Sequence, residues 1–151
     1  LWWCRIQHLR TLYDDMHFLQ NDSYYVEALD LAICGSRGWP TPDTVSYTEH
    51  DEKMYLREQG RLRNSLGEAK KKGASKIIMA MHYPPAKVEE TEFTRIMQEY
   101  GVTQCVYGHL HGMVAWTNGI KGEHGGIDYK LVSLDYLGAK PKLIYDSEQE
   151  M

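Results

Sequence analysis

The sequence has few cysteines, no long apolar run and no excess of basic residues, and each shortage excludes a class of protein. Its three cysteines, Cys4, Cys34 and Cys105, are odd in number and show no CxxC spacing, which argues against a disulfide framework and favours reducing cytoplasm. No apolar stretch approaches the roughly 18 residues that a membrane span needs, so a membrane protein is not expected. The net charge is -4, whereas a nucleic-acid partner requires a basic surface.

What remains is the composition of a globular domain. Hydrophobic residues make up 42% of the 151 residues and charged residues 25%, which is ordinary for a single domain with a hydrophobic core. Turn residues separate the apolar segments, and we find no internal repeat.

Apolar periodicity predicts three helices. The first is expected to end near residues 14–15. The second begins at a capping box formed by Thr48 and Asp51 and ends at Gly73, and the third ends at Gly101. The predicted buried stripes are, in chain order, Trp2, Ile6, Leu9 and Tyr13; Tyr55, Leu62, Leu66 and Ala69; and Phe93, Ile96, Met97 and Tyr100.

Short apolar runs predict the strands. Residues 16–35 read as a small antiparallel section, with one strand at 29–34. Residues 77–81 and 104–107 flank the third helix, and this strand–helix–strand order predicts a parallel pair. The glycine-rich residues 118–128 read as a mobile surface loop, and residues 129–137 and 142–146 as closing strands.

Histidines follow both of the parallel strands. His82 ends the first, while His109 and His111 follow the second within the stretch CVYGHLHG. A lone histidine at a strand end is usually a half-buried hydrogen-bonding residue, but the carboxyl ends of parallel strands meet at one edge of a sheet. Three converging imidazoles predict a metal site there. Gly108 and Gly112 leave backbone room for an ion and a bound oxyanion.

MHYPP followed by YGHLHG resembles the last two metal-binding motifs of the calcineurin-like metallophosphoesterases, and ICGSRGW and SYTEHDEK resemble a bacterial branch of predicted phosphohydrolases. The resemblance implies an α/β chain that is part of a four-layer α-β-β-α sandwich with mixed sheets. It also implies hydrolysis of a phosphoester at two divalent transition metal ions, manganese, iron or zinc. By this resemblance His82 and His109 share one ion and His111 binds its neighbour.

Several family motifs do not occur in the 151 residues: Asp-x-His, Gly-Asp-x-x-Asp and Gly-Asn-His-Asp. The opening LWWCRIQHL resembles the stretch that follows the last of these motifs. The resemblance therefore implies that residues 1–151 are the C-terminal portion of one domain whose N-terminal portion is absent. We therefore expect the isolated chain to be inactive, and its catalytic residues stay unidentified. Its expected partner is the N-terminal half, and without that half we expect self-association through an uncovered apolar sheet face.

Other residues are candidates for substrate contact, for packing or for the surface. Arg37 either binds a substrate phosphate or supports its own loop, and Gly108 is a candidate for substrate contact. Trp39 is expected to pack, as are Cys34 and Cys105. A surface position is predicted for each of the remaining histidines, His8, His17, His50 and His124.

Two other functions stay open from the residues alone. One is a non-catalytic binding or assembly module, and the other is a nuclease of the same fold, which requires a basic face beside His109. The identity of the phosphoester also stays open.

Overall fold

The computed structural model describes residues 5–150 and shows a mixed α/β fold built on one six-stranded sheet. The strand order across the sheet is β1-β2-β3-β4-β6-β5. The four central strands are parallel, and the two edge strands, β1 and β5, are antiparallel to their neighbours. The strands are β1 (Ser23–Val26), β2 (Leu31–Ser36), β3 (Lys76–Met81), β4 (Gln104–Tyr107), β5 (Gly122–His124) and β6 (Ile127–Leu131).

Two long helices and two single turns of helix accompany the sheet. The helices are α1 (Ile6–Leu9), α2 (Glu49–Lys71), α3 (Glu92–Glu99) and α4 (Met113–Trp116). Short 3-10 turns occupy Glu27–Leu29 and Ser147–Glu150. No helix within residues 5–150 has the length and apolarity needed to cross a bilayer.

Helix α2 forms where its caps and apolar stripe predict it. The Thr48 side chain accepts the Asp51 N–H, and the Asp51 carboxylate accepts the Thr48 N–H, which completes the capping box. Gly73 closes the other end at φ 83°, a left-handed conformation that glycine adopts without strain. All four predicted stripe residues are buried, together with Glu58 and Ser65.

Helix α3 connects β3 to β4 and fixes their parallel register. It packs against α2 through Phe93, whose ring meets the Tyr55 ring edge-on at 4.7 Å. In that register Met81 pairs with Tyr107, so β3 and β4 end at the same level. The predicted parallel pair is confirmed.

The main core lies on the sheet face that α2 and α3 cover. Its strand residues include Ala32, Cys34, Ile77, Met79, Met81, Cys105, Tyr107, Tyr129 and Leu131. Cys34 and Cys105 are buried free thiols, as expected of packing residues, and burial raises the pKa of the Cys34 thiol to about 11.

The opposite sheet face carries both apolar and polar side chains. Leu31 and Ile78 are buried there, Ile33, Ala80 and Val106 are half-buried, and Lys76 and Gln104 are the polar residues on this face of β3 and β4. Chain ends cover part of this face: a Cβ on Gly35 would lie 2.5 Å from Leu19 Cβ, and Lys76 Nζ lies 3.1 Å from the Tyr145 hydroxyl.

The predicted first helix is wrong in length. Only Ile6–Leu9 is helical, and Tyr13 is exposed. No side chain caps the start of this turn, and the Arg10 guanidinium contacts Asp22 and the Phe18 carbonyl instead, so the chain folds back toward β1. Trp2, the first member of the predicted stripe, lies outside the described residues.

Three strand predictions also differ from the structure. The strand predicted at residues 29–34 is shifted to Leu31–Ser36, because residues 27–29 form a 3-10 turn that ends at Asp30 in a left-handed conformation. Residues 118–128 are not simply a loop, since Gly122–His124 pairs with the start of β6 through two left-handed glycines. The last strand ends at Leu131, and residues 142–146 form no strand.

Candidate functional site

His82 and His109 meet at the carboxyl edge of the sheet. Each follows the end of its strand, and the level ends of β3 and β4 place the two rings side by side. His109 Nδ1 lies 3.2 Å from His82 Nε2, and the ring centroids are 5.0 Å apart. At this distance one ring nitrogen donates its proton to the other in a hydrogen bond between two neutral imidazoles.

The backbone after β4 directs the His109 ring toward its partner. The Gly108 N–H donates to the His82 carbonyl at 3.2 Å, and the Leu110 N–H donates to the Gly108 carbonyl at 2.8 Å. His109 adopts a left-handed conformation with φ 67°. Such a conformation costs a residue with a Cβ of order 1–2 kcal/mol, so the tight turn is maintained against local strain.

The spacing of the two nitrogens suits a shared metal ion. Two nitrogens that each lie about 2.0–2.1 Å from one tetrahedral zinc ion are separated by about 3.3–3.4 Å. The observed 3.2 Å between His109 Nδ1 and His82 Nε2 lies close to that span. The pair therefore fits two of the ligands of a transition metal ion, which would replace the shared proton.

The surroundings of both rings favour their neutral form. Burial lowers the pKa of His82 below its usual value, and the positive charges of His109 and Arg37 lower it further. Burial likewise lowers the pKa of His109, with His111 and Arg37 acting in the same direction. Neutral imidazole is the form that coordinates metal ions, so these shifts favour metal binding.

Arg37 lies next to the histidine pair on two aromatic rings. Its guanidinium carbon is 4.9 Å from the centre of the Trp39 ring and 5.7 Å from that of Tyr83. Its carbonyl accepts the N–H groups of His82, at 3.2 Å, and Tyr83, at 3.0 Å. Both interpretations of Arg37 are compatible with this placement, because its backbone supports the loop while its exposed guanidinium lies beside the pair.

His111 does not join the pair through a hydrogen bond. Its Nδ1 lies 2.8 Å from Asp135 Oδ1, and the side chain is exposed. Among residues 5–150 no group of three or more histidine, cysteine or acidic side chains is arranged to hold a metal ion. Of the three histidines predicted to converge, His82 and His109 are in contact.

Two cavities flank the histidine pair. One, of about 560 Å³, adjoins His82 and Arg37 and is walled by Ile6, Leu9, Phe18 and Leu19. The other, of about 280 Å³, adjoins His109 and Tyr83 and is walled by the 40–46 loop. A Cβ on Gly108 would contact nothing within 4 Å, so space for a ligand is open at that position; substrate contact by Gly108 stays a prediction.

Tyr83 and Asp135 also belong to the site, and neither was predicted from the sequence. Tyr83 stacks on His109 at a centroid distance of 4.3 Å and meets the edge of His82 at 5.1 Å. Asp135 lies just beyond the end of β6, the parallel neighbour of β4. The strand-end rule that selected His82 would also have selected Asp135, had the end of β6 been placed at Leu131. The four histidines predicted to be on the surface, His8, His17, His50 and His124, are all exposed.

The lowered pKa values predict a pH dependence of stability. We expect the free energy of unfolding to fall as the pH drops below about 6.5, because the unfolded imidazoles take up protons there. The folded His82 and His109 rings, with their lowered pKa values, take up protons only at lower pH. The contribution of the two neutral rings to the free energy of unfolding is therefore complete above the pKa of the unfolded state. It is lost as the pH falls through the pKa of the folded state. Thermal unfolding from about pH 8 to about pH 5 measures it.

The matched variant is the double substitution His82→Gln with His109→Gln, which should make the decline with acid shallower. His8→Gln, on the exposed surface of α1, should keep the slope of the unmodified chain. Equal slopes in the double variant and the unmodified chain would contradict the electrostatic argument.

Comparisons of the chain with protein-family models, with curated proteins and with solved structures give no match, so its function is inferred from the geometry of this site.

Proposed function

We propose that this chain is part of a metal-dependent phosphoester hydrolase in which His82 and His109 hold one divalent transition metal ion. The observation that carries the proposal is the 3.2 Å contact between His109 Nδ1 and His82 Nε2 at the ends of two adjacent parallel strands. Zinc, manganese and iron all accept imidazole nitrogen. A second ion, bound through His111, belongs to the same proposal.

The roles of the neighbouring residues follow from their positions. When bound, the metal ions supply a Lewis acid and an activated water. Arg37 orients the phosphate by its planar guanidinium, which Trp39 and Tyr83 hold beside the pair. The open space at Gly108 admits a phosphate oxygen close to the backbone.

Efficient hydrolysis needs more carboxylates than the site contains. Two metal ions at a phosphoester require bridging and additional ligands, and Asp135 is the one carboxylate that contacts a candidate ligand among residues 5–150. We propose that an N-terminal portion supplies the missing ligands and packs on the less covered sheet face, which completes a four-layer α-β-β-α sandwich. Without it, that face is a surface for self-association. A cytoplasmic location agrees with the two buried free thiols.

The proposal predicts how the chain binds metal ions. Calorimetric titration with zinc or manganese at neutral pH should show one ion per chain. His82→Ala and His109→Ala should each weaken binding at least about tenfold, because each removes one of two donor nitrogens, and the double variant should not bind. Acidification should weaken binding, since protons compete for the same nitrogens.

His124→Ala is the matched control, because that exposed ring contacts the Lys121 carbonyl, outside the site. Hydrolysis of p-nitrophenyl phosphate should stay at background for the isolated chain and rise when the N-terminal portion is added. Metal binding that survives in the double variant would refute the site, and tight binding of two ions would refute the need for further carboxylates. Metal binding without hydrolysis in the completed protein would favour a non-catalytic module.

A further inference from the structure

Asp135 makes two hydrogen bonds at the edge of the proposed site. Its Oδ1 lies 2.8 Å from His111 Nδ1, and its Oδ2 accepts the Gly112 N–H at 2.7 Å. Both carboxylate oxygens are therefore directed at the GHLHG turn. The Gly112 N–H can only donate, which settles the role of one oxygen and holds the carboxylate in place.

The backbone brings this carboxylate to the turn from the neighbouring strand. Tyr107 pairs with Leu131 across β4 and β6, and the Val132 N–H donates to the Tyr107 carbonyl at 2.8 Å. The chain then turns tightly, with the Leu137 N–H bonded to the Ser133 carbonyl at 3.0 Å. Asp135 is thus held by the sheet and by its own turn, independently of the His82 and His109 contact.

We propose that Asp135 is a positioning residue that fixes His111 in the tautomer with its proton on Nδ1, so that Nε2 is the atom available to a metal ion. An ionised carboxylate accepts and cannot donate, so the contact requires a proton on Nδ1. The lone pair of the neutral ring then lies on Nε2. A carboxylate that orients a ligating histidine in this way also makes it a better donor.

The inference rests on the proposed function only for the identity of the ligand. The tautomer itself follows from the contact with Asp135 and needs no metal ion. His111 follows His109 by two residues in the GHLHG turn, so it lies beside the pair. An ion at His111 Nε2 would therefore be a neighbour of an ion held by the pair.

Long-range proton–nitrogen NMR of the labelled chain tests this assignment above neutral pH. In the unmodified chain the unprotonated nitrogen of His111 should be Nε2. In Asp135→Asn the Gly112 N–H should donate to the oxygen of the new amide, which turns the amide NH₂ toward His111 Nδ1. Because that NH₂ group donates, the proton of His111 should move to Nε2. Added zinc should shift the ring resonances of His82 and His109 in both proteins, because that pair does not depend on Asp135.

Asp128→Asn is the matched control, because Asp128 lies on β6 and pairs with Lys130. It should leave the His111 tautomer unchanged, and the amide spectrum reports whether each variant is folded. A proton on Nε2 in the unmodified chain, or an unchanged tautomer in folded Asp135→Asn, would overturn the inference. Failure of zinc to reach His82 and His109, with the tautomers as expected, would instead overturn the proposed function.

Discussion

Phe93→Ala is expected to destabilise the protein by about 3–5 kcal/mol, the usual cost of removing a large aromatic side chain from a closed core. Phe93 is 0% exposed and packs its ring against Tyr55, so α2 and α3 would lose their central contact. Helix α3 holds β3 and β4 in the register that brings His82 and His109 together. Urea denaturation followed by circular dichroism measures the loss, and the contact between His82 and His109 should be lost in the same transition.

The other phenylalanine of the chain provides the control. Phe18 is half-buried in the segment before β1 and contacts Tyr13 at a ring distance of 6.5 Å. Phe18→Ala should cost about 1 kcal/mol, because less apolar surface returns to water. Equal losses in the two variants would mean that the segment before β1 belongs to the core as fully as α3 does.

Glu58→Ala should destabilise the protein by about 2–4 kcal/mol, since it empties a buried position and removes hydrogen-bond partners. Glu58 is 0% exposed; its Oε1 lies 2.5 Å from Arg61 Nη1, and its Oε2 accepts the Ser36 hydroxyl at 3.4 Å. That hydroxyl also accepts the Gly38 N–H. The variant therefore loosens the loop that carries Arg37, and phosphate binding at the proposed site should weaken together with the free energy of unfolding.

Glu58→Gln keeps the volume and the acceptor, and its loss should be smaller. Glu99→Ala breaks an exposed pair with Arg63 at 2.8 Å and should cost about 0–1 kcal/mol, as surface ion pairs do. The same denaturation experiment compares all three variants. A loss for Glu58→Ala no greater than that for Glu99→Ala would show that the buried carboxylate contributes nothing to the loop.

Several elements of the fold were predictable because their signals in the sequence are local. The capping box of Thr48 and Asp51, the stripe of α2 and the glycines that end α2 and α3 act over a few residues, and the structure matches them. The parallel order of β3 and β4 follows from a strand–helix–strand pattern, so the meeting of His82 and His109 was predictable. The length of the first helix was not predictable. Its apolar spacing was typical of a longer helix, but the contacts of Arg10 with residues 18–22 end it early.

Contacts between segments that are distant in the sequence could not be predicted from it. Glu58 interrupts the apolar stripe of α2 in the sequence. Its burial is explained only by the hydrogen bonds that Ser36 and Arg61 donate to its carboxylate. The spacing of His111 from His109 does not show that its Nδ1 contacts Asp135, 24 residues away in the sequence. Local periodicity fixes which face a residue occupies, but a polar side chain takes its role from the partner that folding brings to it, and no spacing in the sequence specifies that partner.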